Sequence, residues 1–139
     1  MLITEIEFTD LEKQIPEGGK SGIEHLATDP NRIYVLAITR EGCPACQKQK
    51  PKLNELAKSL SAKHGKSLVF MRIHIKEPQG NVAESLRAKD LFSHYFYPTN
   101  LILYRTGDRG VIELYRNVSP SMSELKRNIE VALKILVSP

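Results

Sequence analysis

Ile33-Tyr34-Val35-Leu36-Ala37-Ile38-Thr39-Arg40-Glu41-Gly42-Cys43-Pro44-Ala45-Cys46 is the stretch on which the fold turns. Residues 33–38 form an unbroken apolar run, the pattern of a strand covered on both faces. From Pro44 to about Lys63 the period changes, and Leu53, Leu56, Ala57 and Leu60 fall on one helical face. The only two cysteines of the chain therefore stand where a buried strand gives way to a helix. Two thiols with two residues between them can close into a disulfide and reopen, so that one sulfur attacks and the other resolves.

Upstream, residues 2–8 alternate loosely and predict a first strand at a sheet edge. Residues 10–30 contain Pro16, Gly18-Gly19, Gly22 and Asp29-Pro30, which predict short helical pieces broken by turns. Downstream, His64-Gly65-Lys66 ends the long helix, and Ser67 to Ile75 reads as a second buried strand. Asn81 with Glu84 resembles a capping arrangement for a helix through about Phe92. Thr99–Arg105 and Val111–Tyr115 read as strands joined by Thr106-Gly107-Asp108-Arg109-Gly110, a hairpin signature. Ser121 and Glu124 form a capping box before a last helix striped by Leu125, Ile129, Ala132, Leu133 and Leu136. Strand, helix, strand, helix, strand, strand, helix predicts an α/β architecture: a parallel crossover, then an antiparallel hairpin, on one mixed sheet with helices on both faces. Cys43 then lies beyond the carboxyl end of a central strand, where open α/β sheets place their sites.

The length of 139 residues fits one domain, and 41% hydrophobic with 26% charged residues is the composition of a globular protein. A net charge of +4, carried by scattered basic residues, provides no stripe for nucleic acid. No apolar run approaches the roughly 18 residues of a membrane span. Met1-Leu2-Ile3-Thr4-Glu5 lacks the basic head and apolar stretch of a secretory signal, so a cytoplasmic location is the expectation. A Cys-x-x-Cys pair closes almost no loop, so these cysteines point to chemistry or metal and not to a stabilising staple.

The chain resembles the thioredoxin-like superfamily, of the thioredoxin or protein disulfide oxidoreductase type, over nearly its full length. Cys43-Pro44-Ala45-Cys46 after a buried strand carries most of the likeness. Pro51 resembles a helix-kinking proline; it removes a hydrogen bond to the Gln47 carbonyl and disfavours helical geometry at Lys50. Tyr97-Pro98-Thr99 resembles a cis-proline loop, followed by the strand Leu101-Ile102-Leu103-Tyr104. The sequence also departs from the pattern. Gly42 stands where a tryptophan is usual, Ala37 where a buried aspartate is usual, Pro44-Ala45 replaces glycine-proline, and Asn100 looks like an added residue. The resemblance implies a thioredoxin fold, with a central mixed sheet of about four to five strands flanked by helices on both faces. It implies a single domain over residues 1–139: an N-terminal strand and broken helical segment over 1–31 and a redox core over 32–139.

The implied activity is thiol–disulfide exchange with protein substrates. Cys43, at the helix entrance, is the expected nucleophile, because unpaired N–H groups and the helix dipole favour its thiolate. Pro44 suits the first helical position. Cys46 is the expected resolving thiol and, by resemblance, the more buried sulfur. Gly42, Pro44, Ala45, Tyr97, Pro98 and Thr99 are the expected substrate-binding residues. Tyr95, Phe96 and Tyr97 offer an apolar rim, with core packing accounting for at least one of them. Arg72 and His74, which interrupt an apolar strand, and Glu41 are candidates for proton transfer in place of the missing aspartate. His25, His64 and His94 suggest no triad. No glycine loop to cradle a nucleotide is visible, so neither a cofactor nor a resident metal is expected beyond the Cys43–Cys46 disulfide. The expected partners are proteins with disulfides and a disulfide reductase or small-thiol electron donor, with the chain acting as a monomer. Two other readings stay open: a redox-inactive interaction module, and a zinc or iron–sulfur site that a dimer completes with the same cysteines.

Overall fold

The computed structural model describes residues 2–15 and 22–137. The turns expected at Pro16 and Gly18-Gly19 lie outside the described residues. Five strands form one mixed sheet: β1 (Ile3–Glu7), β2 (Ile33–Arg40), β3 (Leu68–Ile75), β4 (Thr99–Arg105) and β5 (Val111–Val118). Their spatial order is β1-β3-β2-β4-β5, with β1, β3 and β2 parallel and β4 and β5 antiparallel. The helices are α1 (Phe8–Gln14), α2 (Pro44–His64), α3 (Ala83–Phe92) and α4 (Met122–Val137). This is the mixed sheet with helices on both faces that the periodicity predicts.

Strand alternation divides the core. Ile33, Val35 and Ala37 of β2, Phe70 of β3 and Ile102 of β4 pack under α2 and α4, against Leu53, Leu56, Ala57, Leu60, Leu125 and Ile129. Tyr34, Leu36 and Ile38 point the other way, to Phe8, Leu11, Ala88 and Phe92 of α1 and α3. Each fully buried Leu, Ile or Phe here contributes about 1.5–3 kcal/mol of apolar burial. The central strand has no solvent face, which is why its sequence does not alternate.

Several elements differ in detail from their sequence reading. β2 extends to Arg40 and β5 to Val118, because ladder pairing continues past the apolar residues that marked them. α2 continues through Pro51 to His64 and ends at Gly65, whose φ of 58 with ψ of −131 is backbone that glycine adopts without a Cβ penalty. The Asn81–Glu84 arrangement is not a reciprocal box: Asn81 Oδ1 accepts from the Ala83 N–H at 2.9 Å, while Glu84 Oε2 accepts from the Lys76 N–H at 2.7 Å. At α4, Ser121 Oγ accepts from the Glu124 N–H at 3.1 Å, but the Glu124 carboxylate turns to Tyr115 and Asn117. Asn100 sits in register between Ala37 and Asn117, and the β4–β5 ladder shifts register between Ile102 and Leu103.

Candidate active site: a disulfide at a helix entrance

β2 delivers the chain to the site. After Arg40 the Glu41 N–H donates to the Ile75 carbonyl at 2.8 Å, and Gly42 turns the chain with φ 73. Cys43 is extended and is the N-cap of α2. Its Sγ accepts from the Cys46 N–H at 3.1 Å, and its carbonyl accepts from the Gln47 N–H at 3.1 Å. Pro44 occupies the first helical turn, where a missing N–H costs nothing. A disulfide joins Cys43 to Cys46 with their Cα atoms 5.2 Å apart. The early turns of α2 carry Lys48, Lys50 and Lys52, all exposed, and the first turn holds no acid. Helix terminus and lysines together place positive potential around the sulfurs.

Both cysteines are buried, Cys43 to 3% and Cys46 to 7% of full exposure, so the expectation that Cys46 is the more buried of the two is corrected. Cys46 lines a cleft of about 250 Å³ together with Glu5, Gly42, Arg72 and His74. Gly42 lines the same cleft, and a Cβ there would meet no heavy atom within 4 Å.

The second expected segment comes to the same end of the sheet. Thr99 pairs with Ile38 across the β2–β4 ladder, which sets Pro98 beside the turn into Cys43. The Tyr97–Pro98 peptide is cis. The Pro98 carbonyl accepts from the Ser119 N–H at 3.0 Å, and Thr99 Oγ1 donates to the Phe96 carbonyl at 2.6 Å. Gly42, Pro44 and Ala45 are exposed around the disulfide, whereas Pro98 and Thr99 are buried. Tyr97 is the half-buried one of the three aromatics. Its hydroxyl hydrogen-bonds Ser85 Oγ at 2.8 Å, its ring lies edge-on to His94, and the Arg40 guanidinium sits 5.5 Å from the ring centre. Burial raises the Tyr97 phenol above its ordinary value. Tyr95 and Phe96 are the exposed aromatics, at 79% and 67%.

Sequence reasoning missed the polar row beneath α2. Glu5, Arg72, Ala37, Asn100 and Asn117 lie side by side across all five strands. Arg72 is ion-paired with Glu5 and donates to Asn54 Oδ1 at 3.3 Å. Asn100 is completely buried and meets Gln49. Gln49 was findable: it falls three residues after Cys46 and four before Leu53, in phase with the buried stripe of the helix. Among the described residues no group of three or more His, Cys, Asp or Glu could hold a metal ion. Nor is any helix among them long and apolar enough to cross a membrane.

No protein-family model matches the sequence, and no curated protein matches it. Solved structures do. A thioredoxin h from Nicotiana alata superimposes with a TM-score of 0.61 at 19% identity, over 93% of this chain and 90% of that one. Trichomonas vaginalis thioredoxin gives 0.58 at 16% identity, over 94% and 97%. A chain from a complex of ferredoxin:thioredoxin reductase with thioredoxin f2 gives 0.55 at 22% identity, over 94% of each. The protein has the thioredoxin fold. Within that fold it carries a disulfide-bonded Cys-Pro-Ala-Cys pair at the entrance to α2.

Proposed function

We propose that this protein is a dithiol–disulfide oxidoreductase that reduces or exchanges disulfides in other proteins. The observation that carries the reading is the N–H of Cys46 pointing at Cys43 Sγ at the mouth of α2. A hydrogen bond of this kind favours the charged form of its acceptor, so it and the helix terminus favour the Cys43 thiolate over the thiol.

In the reduced protein the Cys43 thiolate attacks one sulfur of a substrate disulfide. A Cys43–substrate bond forms, and the other substrate sulfur leaves as a thiolate that takes a proton. Cys46 then loses its proton and attacks Cys43 Sγ, breaking the mixed disulfide and releasing the second substrate thiol. Two electrons have passed to the substrate, and the Cys43–Cys46 disulfide remains. An external dithiol or a disulfide reductase returns it to the dithiol. A reductase partner is supported by the similar chain found with ferredoxin:thioredoxin reductase. The exposed Gly42, Pro44 and Ala45 and the backbone of Tyr97-Pro98-Thr99 would receive the substrate main chain. The protein would act as a monomer in a cytoplasmic, reducing compartment, a setting that suits a chain whose only cysteines are this exchangeable pair.

The test is reduction of a protein disulfide by added dithiol. The native chain and its Cys43→Ser and Cys46→Ser variants are compared. Cys43→Ser is expected to be inactive, and Cys46→Ser to accumulate a mixed disulfide visible on non-reducing electrophoresis. Full activity of Cys43→Ser would overturn the reading.

A further inference from the structure

The resolving step requires a group to take the proton of Cys46, and the cleft that Cys46 lines offers three side chains able to do so: Glu5, Glu41 and His74. Glu5 is held by the Arg72 guanidinium. Glu41 is exposed on the turn. His74 lies on β3, on the same face as Phe70 and Arg72, opposite Thr39 of β2 and Glu7 of β1. It is half-buried, and neither ring nitrogen has a hydrogen-bond partner among the described residues. Of the other polar groups of the cleft, Thr39 Oγ1 donates to the Ile73 carbonyl at 2.8 Å, Arg40 is paired with Glu77 at 2.9 Å, Lys50 is a cation, and the neutral amide of Gln47 is no base. Glu7, beside His74 in the ladder, is paired with Lys76 at 3.9 Å.

We propose that His74 is the proton acceptor for Cys46 in the resolving step, reached through the water that fills the cleft. A space of about 250 Å³ holds several water molecules. The step balances: the Cys46 S–H proton passes to the imidazole, the Cys46 thiolate bonds Cys43 Sγ, and the substrate sulfur departs with the electron pair of the mixed disulfide. The imidazolium then releases its proton to solvent through the open cleft. Imidazole is the side chain whose ordinary titration lies near neutral pH, which suits a group that must both accept and release a proton there. Arg72 cannot play this part, since its guanidinium is always protonated. This inference rests on the proposed exchange chemistry.

The experiment is stopped-flow reaction of the reduced protein with a limiting amount of dithiobis(nitrobenzoate). The first thionitrobenzoate release reports attack by Cys43 and depends on concentration. The second, concentration-independent release reports attack by Cys46. In His74→Gln and His74→Ala the ratio of second-phase to first-phase rate is expected to fall at least about tenfold at neutral pH. The pH dependence of the second phase should also change, and free imidazole should restore the native rate in His74→Ala. A His74→Ala ratio and pH profile indistinguishable from the native protein would overturn the proposal and leave the exchange chemistry standing. So would the same loss appearing in Glu5→Gln or Glu41→Gln in place of the His74 variants. Absence of any second release from the native protein would overturn both.

Discussion

The side-chain amides of Gln49 and Asn100 meet inside the protein, Gln49 Nε2 donating to Asn100 Oδ1 at 2.7 Å. The return bond, from Asn100 Nδ2 to Gln49 Oε1, is longer at 3.5 Å. The pair ties α2, one turn past Cys46, to the strand that follows the cis-proline loop. It also fills with neutral groups the layer of the sheet where Ala37 brings no polar side chain.

Removing one amide should strand the other. Gln49→Leu or Asn100→Leu is expected to cost about 1–3 kcal/mol, since an unpaired buried polar group keeps its full desolvation penalty. The double variant should cost less than the sum of the singles, because neither orphan then remains. Urea unfolding of the four proteins measures this; strict additivity would mean that the amides are not coupled.

Activation of Cys43 predicts a specific pH dependence. In the reduced protein its alkylation by iodoacetamide should persist well below pH 8, since the proposed activation by the helix entrance would keep thiolate present on the acid side of the usual thiol range of about 8.5. Cys46→Ser isolates the measurement. A rate that follows an ordinary thiol would reject the activation.

Gly42 adopts φ 73 and lines the cleft together with Cys46. Gly42→Ala should destabilise the fold by about 1 kcal/mol, because a Cβ disfavours this backbone conformation. Gly42→Trp should also slow alkylation of Cys46 in a Cys43→Ser background, since an indole there would cover the cleft. Unchanged labelling would show that the reagent reaches Cys46 by another path.

His94 is 2% exposed, and both of its ring nitrogens are without hydrogen-bond partners. Burial, reinforced by the positive charges of Lys89 and Arg116, lowers its pKa from 6.5 to about 4. The folded state thus binds fewer protons than the unfolded chain between these values. Stability is full above about pH 6.5, falls as pH drops towards 4, and the loss is complete below that. The shift sets an upper bound of about 3 kcal/mol on this loss. His94→Phe, which keeps the ring between Phe92 and Tyr97, should flatten that part of the stability–pH curve. A profile as steep as that of the native protein would exclude His94 as its source.

The strand at 33–38 and the helix from Pro44 were legible because apolar periodicity is a local property: an unbroken run demands cover on both faces, and Leu53, Leu56 and Leu60 need only one. The position of the cysteines followed from that boundary. Which aromatic turns inward was harder to read. Three consecutive aromatics look equivalent in a list of residues, and only the Ser85 hydroxyl and the His94 ring single out the half-buried Tyr97. The role of Asn100 was hidden for a related reason: its partner lies 51 residues away on α2.

By itself the order of residues determined the sequence of strands and helices, the mixed sheet they imply and the placing of a sulfur pair at a helix entrance, all consequences of interactions within a few residues. Only the tertiary structure decided what surrounds that pair. Strand register set Glu5 beside Arg72, 67 residues on, and brought His74 to the cleft that Cys46 and Gly42 line. Such neighbours are fixed by ladder pairing and packing between distant segments, and no local pattern in the chain encodes them.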